Sequence, residues 1–137
     1  MAHLLLVEDD HDVGEILADM LGHEGHVVRT AHDGEEGMRA LGTGPVDAVV
    51  LDVEMPVLDG PGMAHRMLIE NCGLEQIPVI LVSGVVDLPR VAASVGTPYY
   101  LAKPFSLPDL LQMIERAVRE RVAPGQASLS RIGPDGR

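Results

Sequence analysis

Four apolar runs in this 137-residue chain each stop at residues able to do chemistry. His3 to Val7 ends in Glu8-Asp9-Asp10, and Ala48 to Leu51 ends in the single carboxylate Asp52. Pro78 to Val82 ends in Ser83-Gly84, and Pro98 to Ala102 ends in Lys103-Pro104. Carboxylates gathered within a few ångströms repel one another: at an effective dielectric near 20, a pair about 4 Å apart costs roughly 4 kcal/mol. A divalent cation offsets that cost. Donors that are all oxygen select a hard ion, and magnesium takes one or two carboxylates together with waters and phosphate oxygens. The set therefore fits Mg²⁺ and the uptake of a phosphoryl group. Lys103 would neutralise one phosphoryl oxygen and the Ser83 hydroxyl would donate to another. Each residue alone has a plainer reading, as a helix-capping acid, a turn residue or a solvated lysine. Their recurrence at successive run ends carries the argument.

These residues converge only if the runs lie side by side. Val46 to Gly60, VDAVVLDVEMPVLDG, is a β-branched run bounded by breakers, which reads as a strand buried on both faces. Such strands occur mostly in parallel sheets covered by helices, and ligands bind at their carboxyl ends. Helical spacing alternates with the runs. Val13, Ile16, Leu17, Met20 and Leu21 share one face, with Asp10 or Asp12 as the cap and Gly22 or Gly25 as the stop. His26 to Thr30 is a second strand, and Asp33-Gly34 opens a helix that reaches Leu41. Pro61 to Asn71 is a third helix with Met63, Ala64, Met67 and Leu68 inward, Leu88 to Val95 a fourth, and Leu107 to Val118 a fifth. Repeated strand-then-helix units with right-handed crossovers give an α/β fold, a doubly wound parallel sheet. With five strands the flavodoxin-like order 2-1-3-4-5, carrying five helices, is favoured over the 3-2-1-4-5-6 type.

Composition bounds the rest. The length suits one domain, residues 1–121, and 46% hydrophobic residues can fill a core that is aliphatic, since only 2% are aromatic. Residues 122–137 mix Gly, Pro and Ser without a period and read as a flexible tail or linker. A net charge of −11 repels nucleic acid and anionic lipid, so neither is an expected partner of this domain. The single cysteine, Cys72, excludes an internal disulfide framework and fits a reducing compartment. No apolar run approaches the roughly 20 residues of a membrane span, and the first residues lack a basic leader. A cytoplasmic protein is expected.

The motifs LLLVEDD at 4–10, LDVEMPVLDG at 51–60, PVILVSG at 78–84 and YLAKPF at 100–105 together resemble the receiver domain of two-component response regulators, the family of the chemotaxis response regulator. The resemblance covers residues 3 to 121. It implies that Asp52 is the phosphoacceptor, that Asp9 ligates Mg²⁺ directly with Glu8 completing the acidic pair, and that the backbone carbonyl of Glu54 is a further ligand. It places Ser83 and Lys103 on the phosphate, makes Tyr100 the aromatic switch residue, and makes the Lys103-Pro104 bond cis, which proline permits. Asp10 is then the helix cap. The implied donor is a sensor histidine kinase or a histidine phosphotransfer protein. The output partner is unspecified, and a phosphorylation-dependent dimer is one form the output can take. Two departures stand out: the interval from Ser83 to Lys103 is shorter than usual, and Thr97-Pro98 replaces the usual Ala-Asp.

Among the histidines, His3, His11, His23, His26, His32 and His65, none pairs at helical spacing, and a structural or solvent role is expected. His11 is the exception to test, since it follows the acidic cluster. Met63 and Met67 read as core, and Arg116, Arg119 and Arg121 as favouring a helix C-terminus. Competing functions are a Mg²⁺-dependent phosphatase with an aspartyl nucleophile and a module that binds partners without phosphorylation. The phosphatase pattern Asp-x-Asp is missing, because Glu54 follows Asp52 at that spacing. The expected protein is a signalling module whose only catalysis is slow self-dephosphorylation.

Overall fold

The computed structural model describes residues 1–53 and 60–125, with the backbone alone for 60–64. Five strands, β1 (His3–Val7), β2 (Val27–Ala31), β3 (Ala48–Asp52), β4 (Val79–Ser83) and β5 (Tyr100–Ala102), alternate with five helices: α1 (His11–His23), α2 (Gly34–Leu41), α3 (Gly60–Glu75), α4 (Leu88–Val95) and α5 (Leu107–Glu120). All strand pairs are parallel, in the order β2-β1-β3-β4-β5 expected from the sequence.

Alternation along each strand divides the core into two layers. Leu5, Val7, Val49, Leu51, Val79 and Leu81 face α2, α3 and α4, where they meet Leu41, Leu68, Cys72, Leu88 and Ala92. Leu4, Leu6, Val50, Ile80 and Val82 face α1 and α5, where they meet Leu21, Leu110, Ile114 and Ala117. Strands β3 and β4 are buried along their whole length, which is why they read as unbroken apolar runs.

Helix boundaries follow their caps. Asp10 caps α1 by accepting from the N–H groups of Asp12 and Val13, Asp33 caps α2 through Glu36, and Ser106 caps α5 through Asp109. Gly96 ends α4 in the left-handed region at φ 84°.

Two helices are turned relative to their sequence reading. On α1 the inward face runs through Gly14, Leu17, Ala18 and Leu21, and Ile16 is 61% exposed. On α3 the buried residues are His65, Leu68 and Cys72, whereas Met67, expected inside, is 51% exposed. The spacing 65, 68, 72 is itself helical, so a polar residue was passed over in favour of a methionine one face away. Met63 and Ala64 lie outside the described side chains.

The ordered domain continues past Arg121. Ala123 and Pro124 are buried, the Val122 N–H donates to the Tyr99 hydroxyl across 3.3 Å, and the Gly125 N–H donates to the Gly96 carbonyl across 3.0 Å. The first residues of the expected tail therefore pack across the ends of β5 and α4. Residues 126–137 lie outside the described part of the chain.

Candidate functional site

The carboxyl ends of β1 and β3 are neighbours in the sheet, with Val7 paired to Leu51. The residues that follow are thereby brought together. Glu8, Asp9 and Asp52 each present a carboxylate oxygen, and these oxygens lie within 4.8 Å of one another. Asp10, used up in capping α1, is not in the group. From the far side of β4, the loop after β5 delivers Lys103. Its Nζ donates to Asp52 Oδ2 across 2.9 Å and lies 4.0 Å from Glu8 Oε1. The Lys103-Pro104 peptide is cis.

Three acids answered by one ammonium leave excess negative charge in a partly dry place. Burial pushes the Glu8 carboxyl up to about 8, and the adjoining Asp52 carboxylate pushes the same way, while Lys103 opposes both. Among the described residues Glu8 Oε2 is buried without a hydrogen-bond partner. An oxygen-only donor set with one unpaired buried oxygen and surplus negative charge is what a hard divalent cation would complete.

Ser83 is fully buried at the end of β4, beside Ala102 of β5, and its Oγ accepts from the Val85 N–H across 3.0 Å. That bond holds the oxygen in a turn and leaves the hydroxyl proton for another acceptor. Tyr100, paired with Leu81, is 37% exposed. Its neighbour Tyr99 is the buried one, donating from its hydroxyl to Glu120 with the Arg116 guanidinium over its ring. Glu54, expected to add a backbone carbonyl, lies outside the described residues.

Two histidines, His11 at the start of α1 and His32 just after β2, lie beside Glu8. The His11 and His32 rings stack with centroids 3.6 Å apart, and His32 Nδ1 is within 3.1 Å of the Glu8 carbonyl oxygen. His11 therefore borders the acids through a stack that also holds the backbone of Glu8. A third histidine, His65, expected in a structural or solvent role, is buried. His65 on α3 is only 9% exposed, and its Nε2 has no hydrogen-bond partner among the described residues. Burial lowers its pKa, against the opposite pull of Asp52, Asp33 and Asp9. The burial phase of α3 was the available signal for it.

The sequence of residues 4–115 matches the profile of the response regulator receiver domain. The chain belongs to the response regulator receiver family. Among curated relatives, it is 36% identical over 126 residues to a probable transcriptional regulator, ycf27, of Cyanidium caldarium, covering 88% of this chain and 49% of that protein. It is 34% identical over 129 residues to the response regulator MprA of Mycobacterium bovis, covering 93% of this chain and 54% of that protein. The chain thus spans about half the length of these curated relatives. Among solved structures, a response regulator receiver domain protein of Clostridium thermocellum superposes with a TM-score of 0.74 at 27% identity, over 88% of this chain and 97% of that one. The receiver domain of the sensor histidine kinase PA1611 from Pseudomonas aeruginosa PAO1, solved with magnesium in its active-site cleft, gives 0.72 at 26% identity, over 86% and 98%. In this receiver the acidic cluster, the lysine and the buried serine all occupy one rim of the sheet. Among the described residues no helix is long and apolar enough to cross a membrane.

Proposed function

We propose that this receiver accepts a phosphoryl group on Asp52 from a phosphohistidine of a sensor kinase or phosphotransfer protein. The observation that carries the reading is the Lys103 ammonium held 2.9 Å from a 4%-exposed Asp52 inside a cluster of acids. Its Oδ2 lies on the Lys103 ammonium at the rim of the sheet, where an incoming phosphoryl group would meet both.

In transfer, an Asp52 oxygen attacks phosphorus, the new O–P bond forms, and the P–N bond to the donor imidazole breaks. Glu8, Asp9 and Asp52 would hold Mg²⁺, with the Glu54 carbonyl as a further ligand. When bound, the ion supplies charge neutralisation for the phosphoryl oxygens. Lys103 exchanges its bond to Asp52 for one to a phosphoryl oxygen, and the Ser83 hydroxyl donates its free proton to another. Later attack by water breaks the O–P bond and releases phosphate, so the only catalysis is slow self-dephosphorylation. The domain is a signalling module in the cytoplasm, not an enzyme that turns over outside phosphomonoesters. Two of the curated relatives, each about twice as long, are named as transcriptional regulators, one of them a probable one, which fits an output carried by other sequence or another protein.

The test is intact mass spectrometry after incubation with acetyl phosphate and Mg²⁺. Wild type should gain one phosphoryl mass, and Asp52→Asn none. A full adduct on the variant would remove Asp52 from the role.

A further inference from the structure

Among the described residues, two buried side-chain polar atoms lack a hydrogen-bond partner, Glu8 Oε2 and His65 Nε2. Buried polar atoms are nearly always paired, and leaving one unpaired is costly. Glu8 Oε2 has a ready explanation in the cation the acids would hold. His65 Nε2 has none in the protein as it stands. The ring sits on the inward face of α3 with Leu68 and Cys72, where a leucine would fill the space without stranding a nitrogen. Its surroundings are not simply apolar, because the carboxylates of Asp52, Asp33 and Asp9 all bear on the ring. Helix α3 follows β3, which ends in Asp52, so its N-terminal turns, with His65 in the second, start at the rim that carries the phosphoacceptor, and it packs on α2, whose N-cap is Asp33.

We propose that His65 is a phosphoryl-contacting residue, whose Nε2–H is held without a partner in the unphosphorylated domain and donates to a phosphoryl oxygen once Asp52 is loaded. The inference rests on Asp52 being the acceptor. The neutral imidazole carries one N–H, and the tautomer with that proton on Nε2 supplies the donor. His65 is not a metal ligand in this scheme, since the convergent oxygens come from Glu8, Asp9 and Asp52.

The bland reading, a histidine that merely fills the core, makes different predictions. Beryllofluoride with Mg²⁺ serves as the phosphoryl mimic, and urea unfolding of the unphosphorylated domain reports structure separately. His65→Leu should unfold at an equal or higher urea concentration than wild type, because the stranded nitrogen is gone. It should bind Mg²⁺ alone as wild type does. Its beryllofluoride affinity should fall about tenfold, the size of one hydrogen bond, and His65→Gln, which keeps a side-chain N–H, should recover most of the loss. In the wild type, the His65 ring nitrogen resonances should move on adding beryllofluoride, a readout that stands even if the leucine variant folds poorly. Wild-type affinity in His65→Leu, or stationary ring resonances, overturns the proposal while leaving Asp52 in place. Failure of wild type to bind beryllofluoride at all would instead bring down the Asp52 reading, and this inference with it.

Discussion

The Lys103 ammonium and Asp52 Oδ2 are 2.9 Å apart, although Asp52 ends β3 and Lys103 follows β5, with β4 between those strands. The lysine reaches across the sheet edge and is the one described cation paired with the acid cluster. In Lys103→Ala the repulsion among Glu8, Asp9 and Asp52 is unanswered. We expect the variant to unfold at lower urea than wild type in EDTA, and to recover much of the difference in saturating Mg²⁺, which it should bind more tightly because its internal competitor is gone. Calorimetric titration with Mg²⁺ checks this, and weaker binding by the variant would contradict it.

Phosphorylation by acetyl phosphate should need Mg²⁺ or Mn²⁺ and stop in EDTA. Asp9→Ala should weaken metal binding without unfolding the chain, since Asp9 is only partly buried. An adduct rate indifferent to EDTA would show that the cluster does not work through a cation.

How much of this was legible depended on which side chains the local pattern exposes. The strands, their order and the rim residues were readable, because buried parallel strands are apolar throughout and stop abruptly at Asp52 and Ser83. Capping signals alone left Asp10 and Asp12 both open, and it was the family resemblance that separated Asp10 from Glu8 and Asp9; its side chain does cap α1. His65 was not readable, because a histidine at position 65 and a methionine at position 67 compete for the inward face, and hydrophobicity favours the wrong one. The packing of residues 122–125 was not readable for a related reason. Val122-Ala123-Pro124-Gly125 has no periodicity, and its burial comes from contacts with Tyr99, Gly96 and Gly73 that no local pattern encodes.

Asp47 joins three segments at the opposite end of the sheet. Its Oδ2 accepts from the His3 N–H across 2.7 Å, and its Oδ1 from Arg121 across 3.1 Å. Burial works to raise its pKa, but the His3 N–H and Arg121 outweigh it and hold the carboxyl below its ordinary value. The stability this provides is complete above about pH 4 and is lost as pH falls through the lower folded-state pKa. Asp47→Asn should therefore cost about 1–2 kcal/mol at pH 7, with the gap to wild type narrowing below about pH 4. Urea unfolding at stepped pH reads the gap, and a gap that is constant with pH would contradict the argument.

Residues 122–125 should hold the domain together. A Cβ placed on Gly73 would lie 2.9 Å from the Pro124 carbonyl oxygen, so Gly73→Ala must push the segment off α3. Its modest gain in helix propensity should be outweighed, and the melting temperature should fall by a few degrees. Truncation after Arg121 should lower it similarly, whereas truncation after Gly125 should not. Equal melting temperatures for the two truncations would mean that the segment contributes nothing.

The last prediction concerns the route from Asp52 to the surface. When the phosphoryl group arrives, the Ser83 hydroxyl should turn towards it, giving up the Val85 N–H that it now accepts across 3.0 Å. That turn links Ser83 to the segment entering α4, so α4 should shift and open space beside β5. Tyr100, now 37% exposed on β5, can rotate into that space. Moving a population from 1:99 to 99:1 takes about 5.5 kcal/mol of preference for one state. One charge-assisted hydrogen bond supplies about 1.5–3 kcal/mol, so Ser83 alone is insufficient and Lys103 must contribute. Ser83→Ala should accept phosphate and switch incompletely, and Lys103→Ala should accept it and barely switch. NMR shifts across residues 84–102 on adding beryllofluoride read the switch directly. If the wild-type shifts stay confined to the immediate neighbours of Asp52, phosphate binds without being relayed along β4, α4 and β5.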